Sequence, residues 1–156
     1  MIFITLGSQK FQFNRLLEQV DKLIEEGKIT EEVFAQSGYS DYEPKNYRFK
    51  NFLDRDEFIR VMRECDKVIT HGGTGAIIGA VKQGKKVIAL PRLAKYGEHV
   101  DDHQLQIINQ FQKMNFIVGV YEFEKLENII KKVDSMKFSK YESNTSKIIN
   151  RIEEFI

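Results

Sequence analysis

Short apolar runs that end in glycine alternate along this chain with longer stretches of helical period, and that alternation leaves few folds open. Residues 2–6 form a continuous apolar run that stops at Gly7-Ser8, as a strand buried on both faces does. Phe13, Leu16, Leu17, Val20, Leu23 and Ile24 then recur as one helical stripe. Residues 33–37 and 47–52 read as short strands. Asp54, with Glu57 three residues on, opens a helix carrying Phe58, Ile59 and Met62. Residues 67–70 predict a strand running into His71-Gly72-Gly73-Thr74-Gly75, followed by a helix over 76–82 that stops at Gly84. A strand over 87–90 closes at Pro91. Leu105, Ile108 and Phe111 mark a helix after Asp101, and residues 116–121 a sixth strand. Phe123, Leu126, Ile129, Ile130 and Val133 mark a further helix, and Ile148, Ile149, Ile152, Phe155 and Ile156 a last one, over about 141–156. Such alternation requires right-handed crossovers, so the expected fold is α/β, a Rossmann-like open, mostly parallel twisted sheet with helices on both faces. Ligands of such sheets bind outside the carboxyl ends of the strands.

The 156 residues carry no internal repeat and no Pro/Gly/Ser-rich linker, which predicts a single domain over 1–156. A net charge of +1 supplies no global field for nucleic acid or anionic membrane. The lone Cys65 cannot form an internal disulfide and fits a reducing compartment. The longest apolar run, about six residues, falls short of the ~20 that span a bilayer, so a cytoplasmic protein is expected.

The five-residue segment from His71 to Gly75 is the richest in chemistry. Glycines at a strand-to-helix turn let backbone N–H groups approach an anion, and the helix that follows adds unpaired N–H groups and a partial positive charge. A tight turn whose glycines serve packing is the alternative. The dinucleotide fingerprint fails, because Ile78 stands where a third glycine is needed and Ala89-Leu90 where an acid is. Gly79 to Gly84-Lys85 has P-loop spacing, but Lys86 replaces the Ser/Thr and the segment follows a helix. Gly7-Ser8 is a second candidate anion nest, and Ser8 is not in a nucleophile-elbow motif. In Glu98-His99-Val100-Asp101-Asp102-His103-Gln104, Asp101 or Asp102 reads as an N-cap, while the mixture of donors and acceptors suits a hydroxyl-rich ligand. A metal on His99 and His103 requires both on one helix face. Lys82, Lys85, Lys86, Arg92 and Lys95 read as a solvated basic face, or as attraction to a diphosphate, a lipid headgroup or a partner.

Taken in order, Thr5-Leu6-Gly7-Ser8, the strand into His71-Gly72-Gly73-Thr74-Gly75, the strand from Gly84 to Pro91 and Asp102-His103-Gln104 resemble the C-terminal domain of glycosyltransferase family 28. The resemblance is greatest to small split-subunit transferases of bacterial capsule and exopolysaccharide synthesis, and extends to the catalytic subunit of the dolichol-pathway UDP-GlcNAc transferase. It implies the donor-binding half of a GT-B architecture. It implies that Gly7, Ser8, His71, Gly72, Gly73, Thr74 and Gly75 hold the donor diphosphate, that Phe52 and Leu53 edge the uracil, and that Asp102, His103 and Gln104 meet the sugar hydroxyls. The activity implied is inverting transfer of galactose or GlcNAc from a UDP-sugar to a lipid-linked oligosaccharide, without cofactor or metal. A membrane-anchored subunit would bind the acceptor and hold this chain at the inner face of the membrane, with the terminal helix packed on it; a homodimer and a non-catalytic nucleotide-sugar-binding helper are the alternatives. His71 is a weak candidate for the catalytic base, which the resemblance places rather on the partner. Relatives often carry a ribose-holding Glu where Gly79 stands.

Overall fold

The computed structural model describes residues 1–142. Six strands form one parallel sheet in the order β3-β2-β1-β4-β5-β6. They are β1 (Ile2–Thr5), β2 (Val33–Gln36), β3 (Arg48–Lys50), β4 (Lys67–His71), β5 (Lys86–Leu90) and β6 (Val118–Gly119). The helices are α1 (Asn14–Glu25), α2 (Arg55–Glu64), α3 (Thr74–Lys82), α4 (His103–Lys113) and α5 (Leu126–Lys132). The Rossmann-like expectation thus holds. The last stripe, Ile148 to Ile156, lies outside the described residues.

Alternate residues of the central strands feed two cores. Ile2, Ile4, Leu6, Ile69, Ile88 and Leu90 pack with α1 and α5 on one face. Phe3, Val68, Val87 and Ala89 pack with α2, α3 and α4 on the other. Both faces of β1, β4 and β5 are therefore covered, which is why these strands read as apolar runs rather than alternating patterns.

Helix boundaries follow local chemistry. Asp54 caps α2 by accepting from the Glu57 N–H at 2.8 Å. Gly84, at φ +71°, ends α3 as expected: its N–H donates to the Val81 carbonyl and that of Lys85 to the Ala80 carbonyl. The edge strands are shorter than the sequence predicts. β6 keeps two of the six expected residues, because the Phe116 N–H is drawn back to the Phe111 carbonyl in closing α4.

Candidate functional site

β1 and β4 are neighbours, Thr5 opposite Thr70, yet the chain leaves β1 for α1 on one face and β4 for α3 on the other. The crevice where two such connections diverge is the ligand site of open parallel sheets. His71 ends β4 there and is buried between two glycines. A β-carbon on Gly7 would lie 2.9 Å from His71 Nε2, and one on Gly73 would overlap the ring at Cε1. The Gly7 turn is fixed from beneath: Gln36 Nε2 donates to the Gly7 carbonyl at 3.0 Å and to that of Asn51 at 2.9 Å, while Thr5 Oγ1 donates to Gln36 Oε1.

The buried Gln104, in the first turn of α4, ties the loop after β4 to the loop after β5. Its Oε1 accepts from the N–H groups of Gly72 and Arg92, both at 3.0 Å, and its Nε2 lies 3.1 Å from His71 Nδ1. Gly72 must be a glycine for this, since a β-carbon there would stand 2.6 Å from Gln104 Cβ. The Gly72 N–H is thereby committed to protein and the Gln104 amide is turned inward. Asp102 and His103, two and one residues earlier, remain exposed and half-buried at the rim. Asp102 takes the N-cap position without capping α4; its carboxylate accepts from the Ala94 N–H at 2.9 Å, while Asp101 accepts from that of His103. His99 precedes α4, so it does not share a helix face with His103.

Arg92 corrects the reading of a solvated basic face. It is completely buried, with Nη2 donating to the carbonyls of Leu6 (2.9 Å) and Phe11 (3.2 Å), Nη1 3.3 Å from His71 Nδ1, and Phe13 beneath the guanidinium. Its Nε has no partner among the described residues. Desolvation lowers its pKa to about 10, so the cation persists at neutral pH. Burial first, and Arg92 second, lower the His71 pKa to about 3, leaving the imidazole neutral.

Outer contacts join the loops after β1 and β5. Arg15 Nε and Nη2 pair with the buried Glu98 carboxylate at 3.0 and 2.9 Å, and the Arg15 guanidinium lies near the rings of Tyr96 and Phe123. Phe11 stacks on His99 at 4.7 Å between centroids. Beyond β3, the exposed Phe52 meets Tyr39 edge-on at 5.2 Å, and Leu53 is half-buried. Ser8 is exposed and Thr74 half-buried. Among the described residues no side chain caps the start of α3. Beside it, Phe58, Ile59 and Met62 of α2 face Gly75, Ala76 and Gly79 across an open groove of about 430 Å³.

The model of the glycosyltransferase family 28 C-terminal domain matches residues 1–156. The chain belongs to that family. A curated relative, the UDP-N-acetylglucosamine transferase subunit ALG13 of Candida albicans, is 30% identical over 91 residues, covering 58% of this chain and 29% of that protein. The chain thus spans about three-tenths of the length of this relative. Among solved structures, an NMR structure of ALG13 matches with TM-score 0.60 at 16% identity, over 97% of this chain and 93% of that one. MurG of Acinetobacter baumannii matches with TM-score 0.59 at 15% identity, over 97% and 49%. The kitacinnamycin glycotransferase matches with TM-score 0.60 at 13% identity, over 99% and 38%. These likenesses establish the fold.

Within this family 28 domain, the expected Gly7, His71, Gly72, Gly73 and Gln104 converge at the crevice, whereas Phe52 sits beside Tyr39 beyond β3. From the sequence, Arg92 and Glu98 stood only as members of a basic cluster and a polar stretch, and Gln36 and Arg15 were missed. For Arg92 one signal was available, its place directly after Pro91 at the carboxyl end of a central strand.

Proposed function

We propose that this domain binds the uridine diphosphate part of a UDP-sugar at the carboxyl ends of β1 and β4 and serves as the donor-binding, catalytic subunit of a two-component inverting glycosyltransferase. The observation that carries the reading is the uncapped start of α3, opening at the switch point beside the Gly7 turn and His71. As the bond to the sugar breaks, negative charge grows on the departing diphosphate, and a preorganised helix N-terminus stabilises it. The Thr74 and Ser8 hydroxyls add donors; Gly73 and Gly75 let the phosphates approach. Phe52 and Leu53 edge the uracil, and Asp102 and His103 meet the sugar hydroxyls. Gln104 serves through the loops it ties. The reading assigns no metal.

The general base for the acceptor hydroxyl and the site for a lipid-linked oligosaccharide come from a second, membrane-anchored subunit. Among the described residues no helix is long and apolar enough to cross a membrane, and attachment to the inner face of the membrane runs through that partner. The name of the ALG13 relative, a UDP-N-acetylglucosamine transferase subunit, supports a UDP-sugar donor and a second chain; galactose or GlcNAc transfer in capsule or exopolysaccharide synthesis is the specific form proposed. Purified alone and with the candidate subunit, the chain is assayed for UDP binding by calorimetry and for transfer from UDP-sugars to a lipid-linked acceptor. Saturable UDP binding by the chain, with transfer only by the pair, is the expected result; no UDP binding refutes the reading.

A nucleotide-sugar-binding helper is the second reading, favoured by one observation: Gly79 is exposed and has no side chain, and a β-carbon there would meet none of the described residues within 4 Å, so that position offers no group to a ribose. Transfer by the pair that survives substitution of both His71 and Gln104 decides for the helper.

A further inference from the structure

The hydrogen-bond inventory around His71 fixes where its proton sits. Gln104 Oε1 lies 3.0 Å from two backbone N–H groups, which can only donate, so this end of the amide is the carbonyl. The other end is then the NH₂ group, and it faces His71 Nδ1 at 3.1 Å as a donor. Arg92 Nη1, at 3.3 Å from the same nitrogen, has no acceptor capacity either. Nδ1 therefore faces two donors and presents its lone pair to both.

From this geometry we infer that Gln104 and Arg92 are positioning residues that hold His71 in the tautomer protonated at Nε2, making it a hydrogen-bond donor at the crevice and excluding it as a general base. Nε2 has no protein partner among the described residues and lies against the Gly7 turn. The groups facing the ring are Gln104 from α4, Arg92 from the end of β5, and His99 from the loop before α4; Gly7 and Gly73 bring no charge. A base at this position would have to accept through Nε2, and that nitrogen carries the proton. An N–H directed at an anionic phosphate oxygen is the role that remains, and this last step rests on the donor-binding reading above.

Two-bond ¹H–¹⁵N correlation spectra of the full chain labelled at histidine report which ring nitrogen is protonated. At pH 7 the expected pattern is Nε2–H with a bare Nδ1. Gln104→Glu replaces the donor by an acceptor at Nδ1, so the proton should move to Nδ1 or the ring should become doubly protonated; a side chain that only packs would leave the tautomer unchanged. Nδ1–H or imidazolium in the native chain overturns the inference, as does an unmoved proton in a folded Gln104→Glu chain. Should that variant fail to fold, the native spectrum decides alone. Addition of uridine diphosphate is expected to shift the Nε2 resonance. A tautomer as stated with no response to saturating uridine diphosphate overturns the donor-binding reading and leaves the tautomer assignment standing.

Discussion

Gly7 and His71 meet across the ends of β1 and β4 so closely that a β-carbon on Gly7 would stand 2.9 Å from the imidazole Nε2. Gly7 also holds φ at +73°. Gly7→Ala should therefore incur two costs, about 1–2 kcal/mol for the left-handed backbone and about 1–3 kcal/mol for displacing a packed ring. Thermal unfolding is expected to drop by roughly 5–15 °C. Gly84→Ala is the control, since it shares the positive φ (+71°) but would meet nothing within 4 Å. A Gly7 variant no less stable than the Gly84 variant would mean that the ring does not occupy the described position.

Glu98 is nearly inaccessible, and its carboxylate holds both the Arg15 guanidinium and the Leu93 N–H at 3.0 Å. Removing it strands a partly buried cation and an amide on the loop that leads to α4. Glu98→Ala should destabilise the chain by about 3 kcal/mol, read as a lower urea midpoint. Because Gln104 sits at the far end of that loop, UDP binding should weaken before the fold is lost.

His71 also sets a pH dependence. Burial and the facing Arg92 cation, with His99 adding to them, keep the folded imidazole neutral down to about pH 3, while an unfolded one protonates near 6.5. Between those values the unfolded state binds the extra proton, so stability is complete above pH 6.5 and falls as the solution is acidified, by at most about 1.4 kcal/mol per pH unit. The buried Asp21 acts lower on the scale. Burial raises its pKa, but hydrogen bonds from Tyr42, Lys45 and Asn46 outweigh this and lower it below 3.8, so its contribution is lost only in stronger acid. Denaturant midpoints of the native chain and His71→Gln, measured from pH 7 to 4.5, should converge as the pH falls. Parallel curves would show that the imidazole is not held neutral.

What the sequence disclosed and what it hid divide along locality. The strands bearing the site were legible because both faces of β1, β4 and β5 are covered, so each appears as an apolar run broken by glycine or proline. Arg92 was not, because a basic residue among lysines looks solvated; its burial depends on carbonyls of Leu6 and Phe11, more than eighty positions earlier. Gln104 misled in a different way. After Asp102 and His103 it looks like a group presented to a ligand, yet the bare backbone of Gly72 lets α4 approach and turns the amide inward. The glycine loop thus carries two meanings at once, packing at Gly72 and Gly73 and an open helix start beyond them.

Gly79 offers a gain-of-function test. It lies in the middle of α3, exposed, on the groove shared with Phe58 and Met62, with free space where a side chain would begin. Gly79→Glu should stabilise α3 by about 0.5–1 kcal/mol, because glycine is a poor helix former. On the donor-binding reading a second effect is expected, a carboxylate able to accept from ribose hydroxyls. One charge-assisted hydrogen bond is worth about 1.5–3 kcal/mol, so UDP should bind at least about tenfold more tightly. The gain should shrink with 2′-deoxyuridine diphosphate if the 2′-hydroxyl is the donor. Calorimetry with both nucleotides separates the outcomes. A more stable chain with unchanged affinity would place the ribose away from this groove.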